Sequence, residues 1–357
     1  MACKKSVSVC LIVKNEEDFL ETALTSARCV LMADDIVVVD TGSTDTTKEI
    51  AEKLGANVFD FEWCDDFSAA KNFAAAKAAN DWILALDADE ELMSADLECL
   101  AALLSDELTV GVCSFLELST KSSSPLSRLY NRKNYMFKNS IHEQIEPIIG
   151  SVQKKTKDVP ILIVHHGYIS TEERVHGKLE RNERLLKREL EKHPDDPYLL
   201  FQLGKSFFYN DRDLQLACDY FAKALSSSPD VRLEYVYNTV ECYGYALINT
   251  EQYEKALELL DRYLEHYGNK PQFRFLTGHI LQNNAMLIEA VEFYESCIGA
   301  DITDYSGITS YLSYYNIGVI LECVDMIEDA IGMYKECGDY EPAEKRLAEL
   351  TKKAGDG

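Results

Sequence analysis

A chain of 357 residues, 46% of them apolar, is long enough for two domains with separate cores and too apolar for disorder. Its formal net charge of -25 excludes the broad basic face needed to wrap nucleic acid or lie on an anionic membrane. The 11 cysteines form no Cys-x-x-Cys pair and sit in apolar stretches, as at Cys10, Cys113, Cys218 and Cys297, which predicts reduced thiols and a cytoplasmic setting. No apolar run reaches the length of a membrane span, and residues 1–17 read as a charged start to a strand rather than as a secretory leader.

The first half alternates strand and helix. Residues 6–13 read as a buried strand, 17–30 as a helix, 35–39 as a strand, 43–54 as a helix, 57–61 as a short strand, 68–79 as a helix and 82–86 as a strand. This alternation predicts an α/β domain, a mostly parallel sheet flanked by helices, with its ligand crevice at the carboxyl ends of the strands. Asn15, Glu16, Asp40, Asp87 and Asp89 fall at those ends. A helix at 95–104 then precedes strand-like stretches at 110–118, 127–130, 144–149 and 161–165, with a serine-rich loop at 121–125; their order in a sheet stays open. A charged helix over about 171–192 ends before Pro194.

The strand at 82–86 runs into Asp87-Ala88-Asp89-Glu90-Glu91. On an extended chain Asp87 and Asp89 leave the same face. Two carboxylates roughly 5 Å apart repel by about 3 kcal/mol at an effective dielectric near 20, a cost that a divalent cation reverses. Oxygen ligands favour magnesium or manganese. The plainer alternative has Asp89 capping a helix that begins near Glu90 and Asp87 closing a strand at the surface.

The second half is helical and repeats. Gly204, Gly244, Gly278 and Gly318 are 40, 34 and 40 apart, and Ala217, Ala256, Ala290 and Ala330 are 39, 34 and 40 apart. Two ladders in phase place a small residue on each helix of a repeated hairpin, with Phe221, Leu260, Tyr294 and Tyr334 four residues after the alanines. These units resemble tetratricopeptide repeats, which stack into an all-α solenoid. Its concave face is a groove for a peptide or protein, or else a structural extension or dimerisation face; a homodimer stays open.

The segments Ile12-Val13-Lys14-Asn15-Glu16-Glu17, Val38-Val39-Asp40-Thr41-Gly42-Ser43-Thr44-Asp45, Asp65-Asp66-Phe67-Ser68-Ala69-Ala70-Lys71-Asn72 and residues 82–91 stand in order along the first half. Arg128-Leu129-Tyr130, Ile141-His142-Glu143-Gln144-Ile145 and His165-His166-Gly167-Tyr168 follow. Together they resemble family-2 glycosyltransferases of the GT-A fold, in the bacterial group that joins such a domain to tetratricopeptide repeats. The resemblance implies a GT-A domain over 1–170, a linking helix over 171–194 and a repeat domain over 195–357. It implies inverting transfer of a sugar from a nucleoside diphosphate donor, UDP-linked by family frequency, to a protein or peptide acceptor in the repeat groove.

Asp40 would then accept hydrogen bonds from the base or ribose, with Val13, Asn15, Glu16 and Ala88 lining the donor pocket. Lys71 stands where the family often has arginine and would face the diphosphate. Asp89 would ligate manganese or magnesium, Asp87 would hold ribose or sugar hydroxyls or a metal-bound water, and His165 or His166 would complete the metal site. Glu143 is the implied base and His142 its neighbour. Arg128 and Arg132 face either the diphosphate or ordinary salt-bridge partners. Cell-surface polysaccharide synthesis is the enzymatic alternative, and a repeat scaffold with a relic transferase domain is the non-enzymatic one. A nucleotidyltransferase lacks support, since Lys14-Asn15-Glu16-Glu17 stands where a glycine-rich phosphate loop is needed.

Overall fold

The computed structural model describes residues 6–118, 122–150, 153–166, 172–209, 213–300 and 307–355. Gly167, Tyr168 and Thr171, named above, lie outside the described residues. The chain divides into two units, Met1–Leu185 and Leu186–Gly357.

The first unit runs β1 (Val7–Val13), α1 (Leu20–Leu31), β2 (Ile36–Asp40), α2 (Thr47–Lys53), β3 (Asn57–Asp60), α3 (Phe67–Lys77), β4 (Trp82–Ala85), β5 (Glu90–Ala95), α4 (Leu97–Leu103), β6 (Thr109–Glu117), β7 (Ser122–Asn131), β8 (Tyr135–Lys138), β9 (Gln144–Pro147), β10 (Lys155–His165) and α5 (Glu172–Lys192), in which the division of the units falls. Eight strands form one sheet in the order β3-β2-β1-β4-β7-β6-β10-β5, and β8 and β9 form a separate hairpin. β1 to β4 are mutually parallel, β7 is antiparallel to both β4 and β6, β10 is parallel to β6, and β5 is antiparallel to β10.

The near-continuous apolar runs of the first strands follow from burial on both faces. Val9, Leu11, Val13, Ile36, Val38, Trp82 and Leu84 enter one core, while Cys10, Val37, Val39, Ile83 and Ala85 enter the other. The carboxyl ends of β1, β2, β4, β6 and β10 therefore share one edge of the sheet, which β5 enters from its amino end.

Three expectations are corrected. Residues 87–89 form a turn closed by Glu90 N donating to Asp87 O at 3.1 Å, so Asp87 and Asp89 do not share one face of an extended chain, and Glu90 begins a strand rather than a helix. The serine-rich stretch is strand, not loop: Ser122 to Pro125 pair with β6, beyond the last residue that β4 pairs. That side carries no β4 neighbour, which is why exposed serines and a proline are tolerated there. α1 begins at Leu20 rather than near residue 17, because Asn15 takes a left-handed φ of 56° and Glu17 accepts from Thr46 instead of continuing a helix.

The second unit holds α6 (Pro197–Tyr209), α7 (Leu214–Ser226), α8 (Glu234–Asn249), α9 (Tyr253–Tyr267), α10 (Pro271–Asn283), α11 (Leu287–Glu295), α12 (Tyr311–Cys323), α13 (Ile327–Lys335) and α14 (Glu341–Gly355). Consecutive helices pair as hairpins, with Ala217, Ala256, Ala290 and Ala330 fully buried on the second helix of each. A β-carbon on Gly204, Gly278 or Gly318 would stand 2.6 to 2.7 Å from the ring of Phe221, Tyr294 or Tyr334. Gly244 differs: its hairpin carries Leu260 in place of the ring, and the near neighbour is Leu276 of α10 at 2.8 Å.

These contacts give one substitution two opposite signs. Gly278→Ala is expected to destabilise by ~1–3 kcal/mol, because Tyr294 is fully buried and its hydroxyl is held by Gln282 at 2.8 Å, so the ring cannot withdraw. Gly332→Ala in α13, with nothing within 4 Å, is expected to stabilise by up to ~1 kcal/mol through helix propensity. Urea unfolding of both variants beside wild type checks the pair.

The second unit also carries an acid-sensitive histidine. His279 on α10 lies among the rings of Tyr245, Phe275 and Tyr294, and burial pushes it down to about 4. Below pH 6.5 the unfolded chain takes a proton that the folded chain refuses, so this contribution is present above pH 6.5 and is lost as pH falls toward 4. The span corresponds to at most roughly 3 kcal/mol. His279→Leu should flatten that part of the stability profile, measured by urea midpoints at about pH 7 and pH 5. An unchanged difference between the two pH values would rule the histidine out as its source.

Among the described residues no helix is long and apolar enough to cross a membrane, and the ten described cysteines are free.

Candidate active site

β1 and β2 deliver two loops that brace each other. Asn15 N donates to Ser43 Oγ at 2.9 Å, Thr44 N donates to Asn15 Oδ1 at 2.8 Å, and Glu16 N donates to Thr47 Oγ1 at 2.8 Å. Val13 O, at the end of β1, accepts from both the amide and the hydroxyl of Thr41 at 3.0 Å. Asp40 closes β2 and is 2% exposed. Its Oδ1 accepts from Gly42 N and Ser43 N at 2.8 and 2.9 Å, with Gly42 supplying the φ of 108° the turn requires. Asp40 Oδ2 is buried and has no hydrogen-bond partner among the described residues. A buried acceptor left unpaired costs about 1–3 kcal/mol, so a donor supplied by a ligand would recover that energy.

α3 brings a cation to this edge. Asp66 caps the helix by accepting from Ala69 N at 2.9 Å. Asn72 then clasps the β8–β9 hairpin, donating to Phe137 O at 2.8 Å and accepting from Phe137 N at 2.9 Å. The turn after β8 is held against the start of α3 by Phe67 N to Ser140 O at 2.9 Å and Ser68 Oγ to Asn139 O at 2.5 Å. These bonds set Glu143 over Lys71, the residue before the clasp, with Glu143 Oε1 2.7 Å from Lys71 Nζ. His142 lies in the same turn with a left-handed φ of 50°.

Lys71 also reaches Asp87 Oδ1 at 3.2 Å, and Arg128 of β7 reaches Asp87 Oδ2 at 2.8 Å. Arg128 bonds Glu90 Oε1 as well, while Glu90 Oε2 accepts from Asp87 N at 2.9 Å. Burial opposes charge on Asp87, but Arg128 and Lys71 outweigh it and hold the carboxyl well below the usual range. Burial also opposes charge on Lys71; Asp87 and Glu143 overcome that and raise it. Glu90 goes the other way: burial pushes it up to about 7, with Arg128 pulling down and Asp87 pushing up. The charge of Asp87 is thus met by two buried cations, and attraction to them, rather than the expected repulsion from Asp89, governs its ionisation.

Asp89 faces a different partner. Its Oδ2 lies 3.0 Å from His165 Nε2, and His165 Nδ1 lies 2.5 Å from Glu117 Oε2. The bond to Asp89, against the effect of burial and with help from Glu117, raises His165 to about 9. His166 turns instead to Glu91, at 2.6 Å. Ala88 between the two aspartates is 5% exposed and packs in the core, so it offers a ligand only its backbone.

The candidate residues therefore fall into two groups: Lys71, Asp87 and Glu143 in one, and Asp89 with His165 in the other. Arg128 joins the first group. Arg132 does not: it lies at the amino end of β4, where Nη1 caps α3 through Ala75 O and Ala78 O at 2.6 and 2.7 Å. Glu90 and Glu117 were not among the predicted site residues; the signals were the acid cluster after the strand at 82–86 for Glu90 and an acid closing the apolar run at 110–118 for Glu117. Among the described residues no three His, Cys, Asp or Glu side chains converge as a metal cluster. A carboxylate oxygen and an imidazole nitrogen 3.0 Å apart suit a divalent ion that takes its remaining ligands from phosphate and water.

Residues 8–148 match the family model described as glycosyl transferase family 2. A TPR repeat-containing protein of Synechococcus elongatus is 35% identical over 253 residues, covering 66% of this chain and 61% of its own. An uncharacterized glycosyltransferase of Rickettsia bellii is 35% identical over 150 residues, covering 39% and 50%. The SPbeta prophage-derived glycosyltransferase SunS of Bacillus subtilis is 27% identical over 225 residues, covering 61% and 52%. The chain thus spans half to three-fifths of the length of these curated relatives. Its N-terminal unit holds a family-2 glycosyltransferase domain of GT-A-like architecture, and a unit of tetratricopeptide-like helical repeats follows.

Proposed function

We propose that the protein is a metal-dependent, inverting glycosyltransferase that moves a sugar from a nucleoside diphosphate donor, UDP-linked, to a protein or peptide acceptor held by the repeat unit. The observation that carries this reading is the pairing of Asp89 Oδ2 with His165 Nε2 at the strand-end edge that also carries Lys71, Asp87 and the unpaired oxygen of Asp40.

In this proposal Asp40 Oδ2 accepts from the base or ribose, and the braced loops at Val13, Asn15 and Glu16 wall the nucleoside. Asp89 and His165 would hold manganese or magnesium, which when bound supplies Lewis-acid stabilisation of the departing diphosphate. Asp87, fixed by Lys71 and Arg128, receives ribose or sugar hydroxyls. Glu143 takes the proton of the attacking acceptor group, with Lys71 and the Asn72 clasp keeping it in place and His142 beside it. Stacked helix pairs leave a grooved face suited to an extended chain, which supports a peptide acceptor.

The test is hydrolysis of a panel of nucleotide sugars by the purified protein, with manganese or with chelator. The expected result is metal-dependent release of one nucleoside diphosphate. Silence across the panel, together with no nucleotide binding by calorimetry, would overturn the proposal and favour a repeat scaffold with a relic domain.

A further inference from the structure

Glu117 closes β6, and strand register sets it beside His165, which closes β10: the two are direct partners in the parallel ladder. On the other side of β10, His165 is register partner to Glu90, the residue after Asp89. The imidazole consequently lies between two carboxylates contributed by different strand ends, Glu117 at Nδ1 and Asp89 at Nε2. The ring is further limited by Phe115, two residues before Glu117, which stacks on it at 5.9 Å and 26°. Leu118 N donates to His165 O at 3.1 Å and fixes the backbone from which the ring projects.

A histidine nitrogen can ligate a metal only through a lone pair, and the hydrogen bond made by the other nitrogen decides which one keeps it. Resting on the metal reading above, we infer that Glu117 is a positioning residue: its carboxylate accepts the Nδ1 hydrogen of His165, so that when a divalent cation displaces the proton Nε2 shares with Asp89, the Nε2 lone pair is the one that meets the ion. In this role Glu117 acts on the ion through the imidazole, as in other carboxylate–histidine–metal arrangements.

The test uses manganese itself as the probe, bound to the full-length chain and followed by electron paramagnetic resonance. Wild type should show echo modulation from a coordinated imidazole nitrogen. Glu117→Leu removes the acceptor and should weaken manganese binding by ~10–100-fold, with that modulation lost. Glu117→Gln keeps an oxygen that can accept the Nδ1 hydrogen, so it should retain the modulation and lose affinity by less than the leucine variant. If the leucine variant does not fold, Glu117→Ser, too short to reach Nδ1, takes its place with the same expectation. Wild-type affinity and modulation in the leucine or serine variant would overturn the role of Glu117 alone. Manganese binding in wild type that shows no imidazole modulation and is indifferent to Asp89→Asn would overturn the metal site itself, and this inference with it.

Discussion

Replacing Arg128 with methionine is expected to cost the N-terminal unit ~3–5 kcal/mol, because one guanidinium answers two carboxylates that water does not fully reach. Arg128 and Glu90 are 8% and 3% exposed. Methionine fills much of the volume and offers neither charge nor hydrogen bonds, so Glu90 is left buried without its cation. The carboxyl can escape by taking a proton, and it already sits at about 7 with Arg128 present. Removing the arginine raises it further.

The sign of the pH effect follows. A carboxyl whose folded value exceeds its unfolded one weakens the fold progressively as pH rises from the unfolded value through the folded one. The loss in Arg128→Met should therefore be larger at about pH 8 than at about pH 5.5, as read from urea midpoints. Adding Glu90→Gln should restore part of the stability and remove most of the pH dependence, a non-additivity expected of groups in direct contact. Equal losses at both pH values would mean that Glu90 is not the group left uncompensated.

If the proposed metal role holds, Asp89→Asn is expected to lower manganese-dependent donor turnover by roughly 10³-fold while leaving the fold intact, since several kcal/mol of leaving-group stabilisation would pass through that ligand. Asparagine keeps the shape of the turn and loses the charge. His165 retains Glu117 at Nδ1, so the imidazole is not set adrift by the change. Turnover measured across a manganese titration separates a weakened site, rescued at high metal, from a lost one. Turnover equal to wild type at limiting metal would exclude Asp89 as a ligand. Asp87→Asn should behave differently: it disturbs two buried cations and is expected to lower the melting temperature as well as activity.

What could be read directly from the residues was whatever repeats locally. Strands buried on both faces announce themselves as unbroken runs such as Ile36-Val37-Val38-Val39, and the acids and turn residues that follow them mark the ligand edge. The glycine ladder was equally legible, since a missing side chain on one helix and a ring on the next make one contact three times over; only Gly244, facing Leu276, departs from it. The rest depends on pairings across long stretches of chain. Glu117 meets His165 across 48 residues, and Arg128 meets Glu90 across 38. Both meetings require the order β7-β6-β10-β5, which no periodicity encodes. The pair Asp87 and Asp89 was visible but its geometry was not, because a single backbone hydrogen bond turns an apparent extension into a bend.

That bend separates two kinds of negative charge. On one side Asp87 is permanently matched by side chains of α3 and β7, so its electrostatic surroundings are built once, when the domain folds. On the other, Asp89 faces a group that can trade a proton for an ion. If Asp89 holds a metal as proposed, cation uptake there need not unlock the buried network on the far side of the turn, and free manganese would then tune this edge like a rheostat whose casing stays rigid.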